Sequence, residues 1–219
     1  MICEQLHILQ QELPNNVSLV AVSKTKPVAD VQIAYDCGQR LFGENKVQEM
    51  VDKWEVLPKD IQWHMIGHLQ SNKVKYIAPF VSMIHGVDSF KLLEEINKQA
   101  KKNDRVIPCL FQFHIAQEET KFGLTLDECC HILDSDEFLA LQNVTIAGLM
   151  GMASFVDDTA QIRSEFRNLY DSFLLIKSNY FRLNDNFCQL SMGMSGDYSI
   201  AVDEGSTMVR IGSTIFGSR

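Results

Sequence analysis

The sequence predicts one α/β domain over residues 1–219: a single (β/α)8 TIM barrel with an extra N-terminal helix. Three observations carry that prediction. Short β-rich runs alternate with helical stretches through the whole chain, the pattern of parallel βαβ units with right-handed crossovers. The 219 residues shared among eight such units leave roughly 27 each, which suits a barrel with few insertions. After the first strand, where an open dinucleotide-binding sheet would carry G-x-G-x-x-G, stands Ser23-Lys-Thr-Lys-Pro27.

Taken in order, Met1–Gln11 reads as the helix ahead of the barrel. Val17–Val22 is the first strand, and Pro27–Cys37 a helix with proline in the favoured opening position. Arg40–Phe42 and a helix from Lys46 to about Trp54 follow, then the strand Gln62–Ile66 and the helical stretch Ser71–Ile77. The fourth strand, about Val81–Val87, leads to a helix over Ser89–Lys102. Ser89 is its candidate cap, and its lysines are weighted toward the negative end. Val106–Ile115 is a long strand, Leu126–Leu133 a helix, and Asp134–Glu137 a solvated loop. Val144–Leu149 precedes the amphipathic helix Thr159–Asn179, whose Phe166, Leu169, Tyr170 and Phe173 should face the barrel. Phe187–Met192, a short helix Tyr198–Glu204 and the strand Thr207–Ile211 close the series.

Composition narrows the function classes. With 46% hydrophobic and 22% charged residues and only 5 Pro, the chain has the material for a packed core without metal or disulfide staples. A net charge of −8 argues against electrostatic capture of nucleic acid or an anionic membrane. No apolar run approaches the roughly 20 residues of a membrane span, and the N-terminus lacks a basic signal region. Cys3, Cys37, Cys109, Cys129, Cys130 and Cys188 form no C-x-x-C pair and read as free thiols in a reducing compartment, so a cytoplasmic location is expected. His64, His68, His85 and His114 lack the spaced pairing of a zinc motif, so no metal is expected. Met65, Met83, Met150, Met152 and Met192 read as core filling. Nothing marks an interface, and a monomer is the expectation.

Barrel chemistry gathers at the carboxyl ends of the strands. Those ends carry Lys24, Gly43-Glu-Asn45, Gly67–Ser71, His85 with Asp88, His114 and then Lys121, Met150 with Met152, Gly193-Met-Ser195, and Arg210-Ile-Gly-Ser-Thr214. The last two loops match the usual phosphate site of such barrels. Glycines there let backbone N–H groups approach an anion, hydroxyls add donors, and Ile215–Gly217 supplies a short helix. Ordinary turn chemistry is the competing explanation. A lysine at a barrel mouth beside a phosphate site could hold a phosphorylated aldehyde as an imine, with burial and the nearby Arg210 lowering its pKa. A surface lysine or a plain phosphate counter-ion are the alternatives. Strand parity does not separate Lys24 from Lys26, although Lys26 abuts Pro27 and is leaving the strand.

Seven ordered segments carry a resemblance over nearly the whole chain: Ala21-Val-Ser-Lys-Thr-Lys-Pro27; Phe42-Gly-Glu-Asn45 with Val47-Gln-Glu49; Trp63-His-Met-Ile-Gly67 with Leu69–Lys73; Lys121-Phe-Gly123; Gly148-Leu-Met150; Leu190-Ser-Met-Gly-Met-Ser195; and Ser206–Gly212. Together they resemble the pyridoxal phosphate homeostasis proteins, single-domain relatives of the alanine racemase barrel. The resemblance implies that the chain binds pyridoxal 5′-phosphate (PLP). In it, Lys24 matches the Schiff-base lysine, Asn45 lines the cofactor ring and Met194 lies beside it. Ser195, Gly212 and Ser213 match the phosphate cradle, where many relatives carry Thr at the position of Ser213. Arg210 matches the arginine facing the pyridine nitrogen. Lys26, His64 and Lys73 fall in matching segments without an assigned role.

An arginine at that place has no proton to hand over, so the ring is a weak electron sink and carbanion chemistry is restrained. Racemases of this class also carry a β-domain that supplies a catalytic tyrosine. The chain stops at Arg219, after the eighth strand, and Tyr198 reads as packing at a helix start. The implied function is a non-catalytic PLP carrier in vitamin B6 homeostasis, with PLP-dependent apoenzymes as recipients. The alternative is an amino-acid racemase or another PLP-dependent enzyme acting on small amino acids.

Overall fold

Eight parallel strands pair in chain order, and the first also pairs with the last, closing a barrel. A computed structural model describes residues 1–116 and 123–217; the predicted Lys121 and the chain end at Arg219 lie outside the described residues. The strands are β1 (Ser18–Val22), β2 (Leu41–Glu44), β3 (Gln62–Met65), β4 (Met83–Val87), β5 (Ile107–Phe113), β6 (Val144–Gly151), β7 (Gln189–Met194) and β8 (Met208–Ile211). Around them run α1 (Ile2–Glu12), α2 (Val28–Asp36), α3 (Val47–Val56), α4 (Val74–Ile77, entered through a 3-10 turn), α5 (Phe90–Lys102), α6 (Leu126–Leu133), α7 (Asp136–Leu139), α8 (Thr159–Tyr180), α9 (Tyr198–Asp203) and α10 (Ser213–Phe216). The barrel and its leading helix agree with the sequence expectation.

Local chemistry sets the helix ends. Ser89 Oγ accepts the Leu92 N–H at 3.4 Å, as the cap of α5, and Lys101 and Lys102 occupy that helix's last turn. Thr125 and Glu128 form a reciprocal capping box on α6. Pro27 stands at the N-cap of α2, one residue outside the predicted opening position. Asp134–Glu137 is not all loop: Ser135 Oγ accepts the Phe138 N–H at 3.2 Å and starts α7. On α8, Phe166, Leu169 and Phe173 are buried as their spacing predicts, with Tyr170 packed at the edge of the core.

The core has two compartments. Between strands and helices lie large, fully buried side chains such as Phe42, Trp63, Phe111, Phe166 and Phe187, each contributing roughly 2–3 kcal/mol of transfer free energy. The barrel interior holds a smaller apolar cluster of Leu110, Ala147 and Met150, flanked by Met83 and Met152. A polar chain completes it. His64 Nδ1 lies 2.9 Å from His85 Nε2, His85 Nδ1 lies 3.1 Å from Ser191 Oγ, and Arg210 donates to the same hydroxyl at 2.7 Å. Among the described residues no group of three or more His, Cys, Asp or Glu could hold a metal ion.

The cysteine expectation needs one correction. Cys3 and Cys37 are joined by a disulfide. They sit on α1 and just past the end of α2, neighbouring helices that bring their Cα atoms to 5.5 Å, within bridging range. A separation of 34 residues hides that proximity in the sequence. Cys109, Cys129, Cys130 and Cys188 are free, and burial pushes the Cys129 thiol up to about 12, which keeps it unreactive. Among the described residues no helix is long and apolar enough to cross a membrane.

Candidate functional site

Register places the site. Val20 of β1 pairs with Arg210 of β8, and Met194 of β7 pairs with the same arginine. All strands run in one direction, so Lys24, beyond Val20, and Gly212, beyond Arg210, stand above the guanidinium at the carboxyl rim. A cavity of about 750 Å³ opens there, and Lys24, Asn45, Met194, Ser195, Arg210, Gly212 and Ser213 all line it.

Two lysines border the cavity, and their partners differ. Lys26 Nζ donates to the carbonyls of Phe216 and Gly217 at 3.0 and 2.9 Å, capping the negative end of α10. Lys24 stands in the turn after β1, half-buried against the cavity. The Lys26 ammonium is thus committed to the end of α10, and Lys24 lines the same cavity. Asn45 follows β2 and is braced from behind by Gly67. A Cβ at that glycine would fall 2.6 Å from the Asn45 carbonyl oxygen, so only glycine fits.

The loops after β7 and β8 are tied together. The Gly212 N–H donates to Ser195 Oγ at 3.3 Å, and the Met194 N–H donates to Asp197 Oδ1 at 2.5 Å. Gly212 is the N-cap of α10. A Cβ there would lie 3.1 Å from the Val22 carbonyl oxygen, tighter than an ordinary contact. The helix starts at Ser213 rather than at Ile215 as the sequence suggested, because Gly212 turns the chain two residues earlier. Helix-initial N–H groups have no partner within the helix, and here they lie beside the hydroxyls of Ser195 and Ser213. This is the donor set of an anion cradle.

Arg210 forms the floor. Its Nη1 donates to the Ser191 carbonyl and hydroxyl at 2.8 and 2.7 Å, and Nη2 donates to the Gly151 carbonyl at 3.1 Å. Burial lowers its pKa to about 10, and Asp197 pulls in the opposite direction, so it is a cation at neutral pH. Burial likewise lowers His64 to about 4 and drives His85 further down, with His64 and Arg210 adding to the effect. The imidazole pair beneath the arginine is therefore neutral. Apolar walls come from Val22, Ile66 and Met152. An amine, a fixed cation, an anion cradle and apolar faces suit a small ligand with an aromatic body, an anionic tail and a carbonyl group.

Comparison with known proteins points the same way. The family model "Alanine racemase, N-terminal domain" matches residues 2–219. A pyridoxal phosphate homeostasis protein of Aquifex aeolicus is 38% identical over 206 residues, covering 94% of this chain and 88% of the relative. The chain belongs to the pyridoxal phosphate homeostasis protein family. A relative from Schizosaccharomyces pombe bearing the same name is 37% identical over 219 residues, covering 97% of this chain and 88% of the relative. The solved structure of PipY from Synechococcus elongatus, with PLP bound, superposes with a TM-score of 0.90 at 35% identity, covering 99% of this chain and all of that one.

Sequence reasoning missed several cavity residues. Ile66 lines a wall, yet in sequence it reads as a strand residue, whereas Met152, placed at a strand end but read as core filling, lines another. Asp197, which the sequence did not single out, accepts the Met194 N–H. Its only signal is its place directly after Gly-rich Gly193–Gly196. Tyr198 behaves as expected at the start of α9, its hydroxyl donating to Glu12 Oε2 at 2.9 Å.

Proposed function

We propose that the chain binds PLP in this cavity and holds it exchangeably, as an intracellular carrier in vitamin B6 homeostasis without turnover of its own. The observation that carries the reading is the meeting of Lys24 with Arg210 and the Ser195–Gly212–Ser213 cradle around one cavity. When bound, the cofactor would supply a reactive aldehyde, and Lys24 would be the residue that holds it covalently and reversibly. Ser195, Gly212 and Ser213 would grip the phosphate, and Asn45 and Met194 would flank the ring.

Arg210 would face the ring nitrogen while keeping its own protons. Three contacts to Ser191 and Gly151 fix its plane. A guanidinium offers a hydrogen bond there and no proton, which favours storage over carbanion chemistry. Reversible capture also limits free aldehyde and allows transfer to PLP-dependent apoenzymes. The protein would do this as a cytoplasmic monomer.

Equilibrium titration tests the reading. The purified protein is expected to turn yellow with PLP, and Lys24→Ala is expected to lose that colour while staying folded. A colourless wild-type protein would contradict PLP binding. Incubation with single amino-acid enantiomers under chiral detection tests the carrier role: turnover above about 1 per second, an ordinary enzyme rate, would establish a racemase instead.

A further inference from the structure

The turn that bears Lys24 is held from outside the barrel, through Ser23 and Thr25. Val47–Val56 of α3 packs over β2, and its Glu49 and Lys53 stand one helical turn apart on the same face. The Lys53 side chain is only 4% exposed. Its ammonium reaches the Ser23 carbonyl at 2.7 Å, Glu44 Oε1 at 2.7 Å and Glu49 Oε1 at 2.8 Å, which uses all three of its donors. Glu44 Oε1 also accepts the Ser23 hydroxyl at 2.6 Å. Glu49 Oε1 accepts the Thr25 N–H at 2.5 Å.

These contacts bracket the reactive position. Ser23, just before Lys24, is gripped by hydroxyl and carbonyl. Thr25, just after it, is gripped by its N–H. Thr25 has φ +65°, a left-handed conformation that is costly for a β-branched residue and persists only where surroundings impose it. A buried ion pair adds little net stability over a packed apolar pair, so the distinctive effect of this one is on geometry.

We infer that Glu44, Glu49 and Lys53 are positioning residues for Lys24: they hold the Ser23–Thr25 turn in the strained form that presents the amine to the cavity. The inference rests on PLP capture by Lys24 as proposed above. It assigns the network to the capture of the aldehyde and not to the grip on the phosphate, which α10 and Ser195 provide from another side.

The test compares PLP with pyridoxine 5′-phosphate, which has an alcohol in place of the aldehyde and reports the phosphate and ring contacts alone. Glu49→Ala is expected to weaken PLP binding on the order of tenfold and leave the alcohol analogue within about twofold. Glu49→Gln, which keeps an acceptor for the Thr25 N–H, is expected to fall between Glu49→Ala and wild type. Thr25→Gly removes the conformational cost, so in that background Glu49→Ala is expected to lose much less. Equal weakening of both ligands by Glu49→Ala, or no change in either, would overturn the positioning role. A wild-type protein that binds both ligands equally would overturn covalent capture itself, a separate and recognisable failure.

Discussion

Two polar networks support the cavity from different layers, and they are built on opposite principles. Inside the barrel, His64, His85 and Ser191 form a neutral chain that ends on Arg210. Between the barrel and α3, Ser23, Glu44, Lys53 and Glu49 form a charged one that ends on the turn bearing Lys24. The inner chain fixes a cation by surrounding it with groups that do not compete for charge. The outer chain fixes a backbone turn by neutralising charge locally, with burial still pushing the Glu44 carboxyl above its ordinary value. The difference teaches that the two ends of one small site depend on separate elements, so damage to one should spare the other.

The largest contrast should appear when each network loses one member. Lys53→Met leaves Glu44 buried without its counter-ion and is expected to cost about 3–5 kcal/mol in urea unfolding; a loss below about 1 kcal/mol would show that the pair is not coupled to the fold. Acid should strike the inner chain. Both imidazoles are held neutral in the folded protein, with pKa values below the ordinary 6.5, whereas the unfolded chain takes up protons near that value. Stability is therefore complete above pH 6.5 and falls as pH drops below it, with His64 alone contributing a loss of about 3 kcal/mol by pH 4. Between pH 6.5 and 5, above the ordinary carboxylate range, a flat unfolding free energy would contradict buried neutral histidines.

Smaller effects sharpen the comparison. His85→Leu strands His64 Nδ1 without its partner and is expected to cost about 1–3 kcal/mol, measured by the same unfolding. Its yellow colour with PLP should persist, because the Lys24 turn is held elsewhere. Ser195→Ala combined with Ser213→Ala is expected to weaken PLP retention about tenfold with the melting temperature unchanged. Unchanged retention in dialysis would remove those hydroxyls from the anion cradle.

Much of this was legible before any coordinates. Alternating runs located the eight strands, and their carboxyl ends nominated Lys24, Asn45, Met194, Ser195, Arg210, Gly212 and Ser213, which line one cavity. What stayed hidden were relations between residues far apart in the chain. Lys53 reads as an ordinary helix-surface lysine four residues after Glu49, and only the packing of α3 over β2 buries it. The left-handed turn at Thr25 has no sequence signal, since glycine or asparagine would be the residue to expect there. Cys3 and Cys37 meet because α1 packs on α2, and α7 forms because one serine hydroxyl caps a segment whose acidic residues suggested a loop.

Reduction of the PLP-loaded protein with borohydride, followed by peptide mapping, bears most directly on the covalent link. The label is predicted on the peptide containing Lys24, with Lys26 unmodified because its ammonium is committed to the end of α10. A label on Lys26 or any other lysine, with Lys24 untouched, would contradict the account.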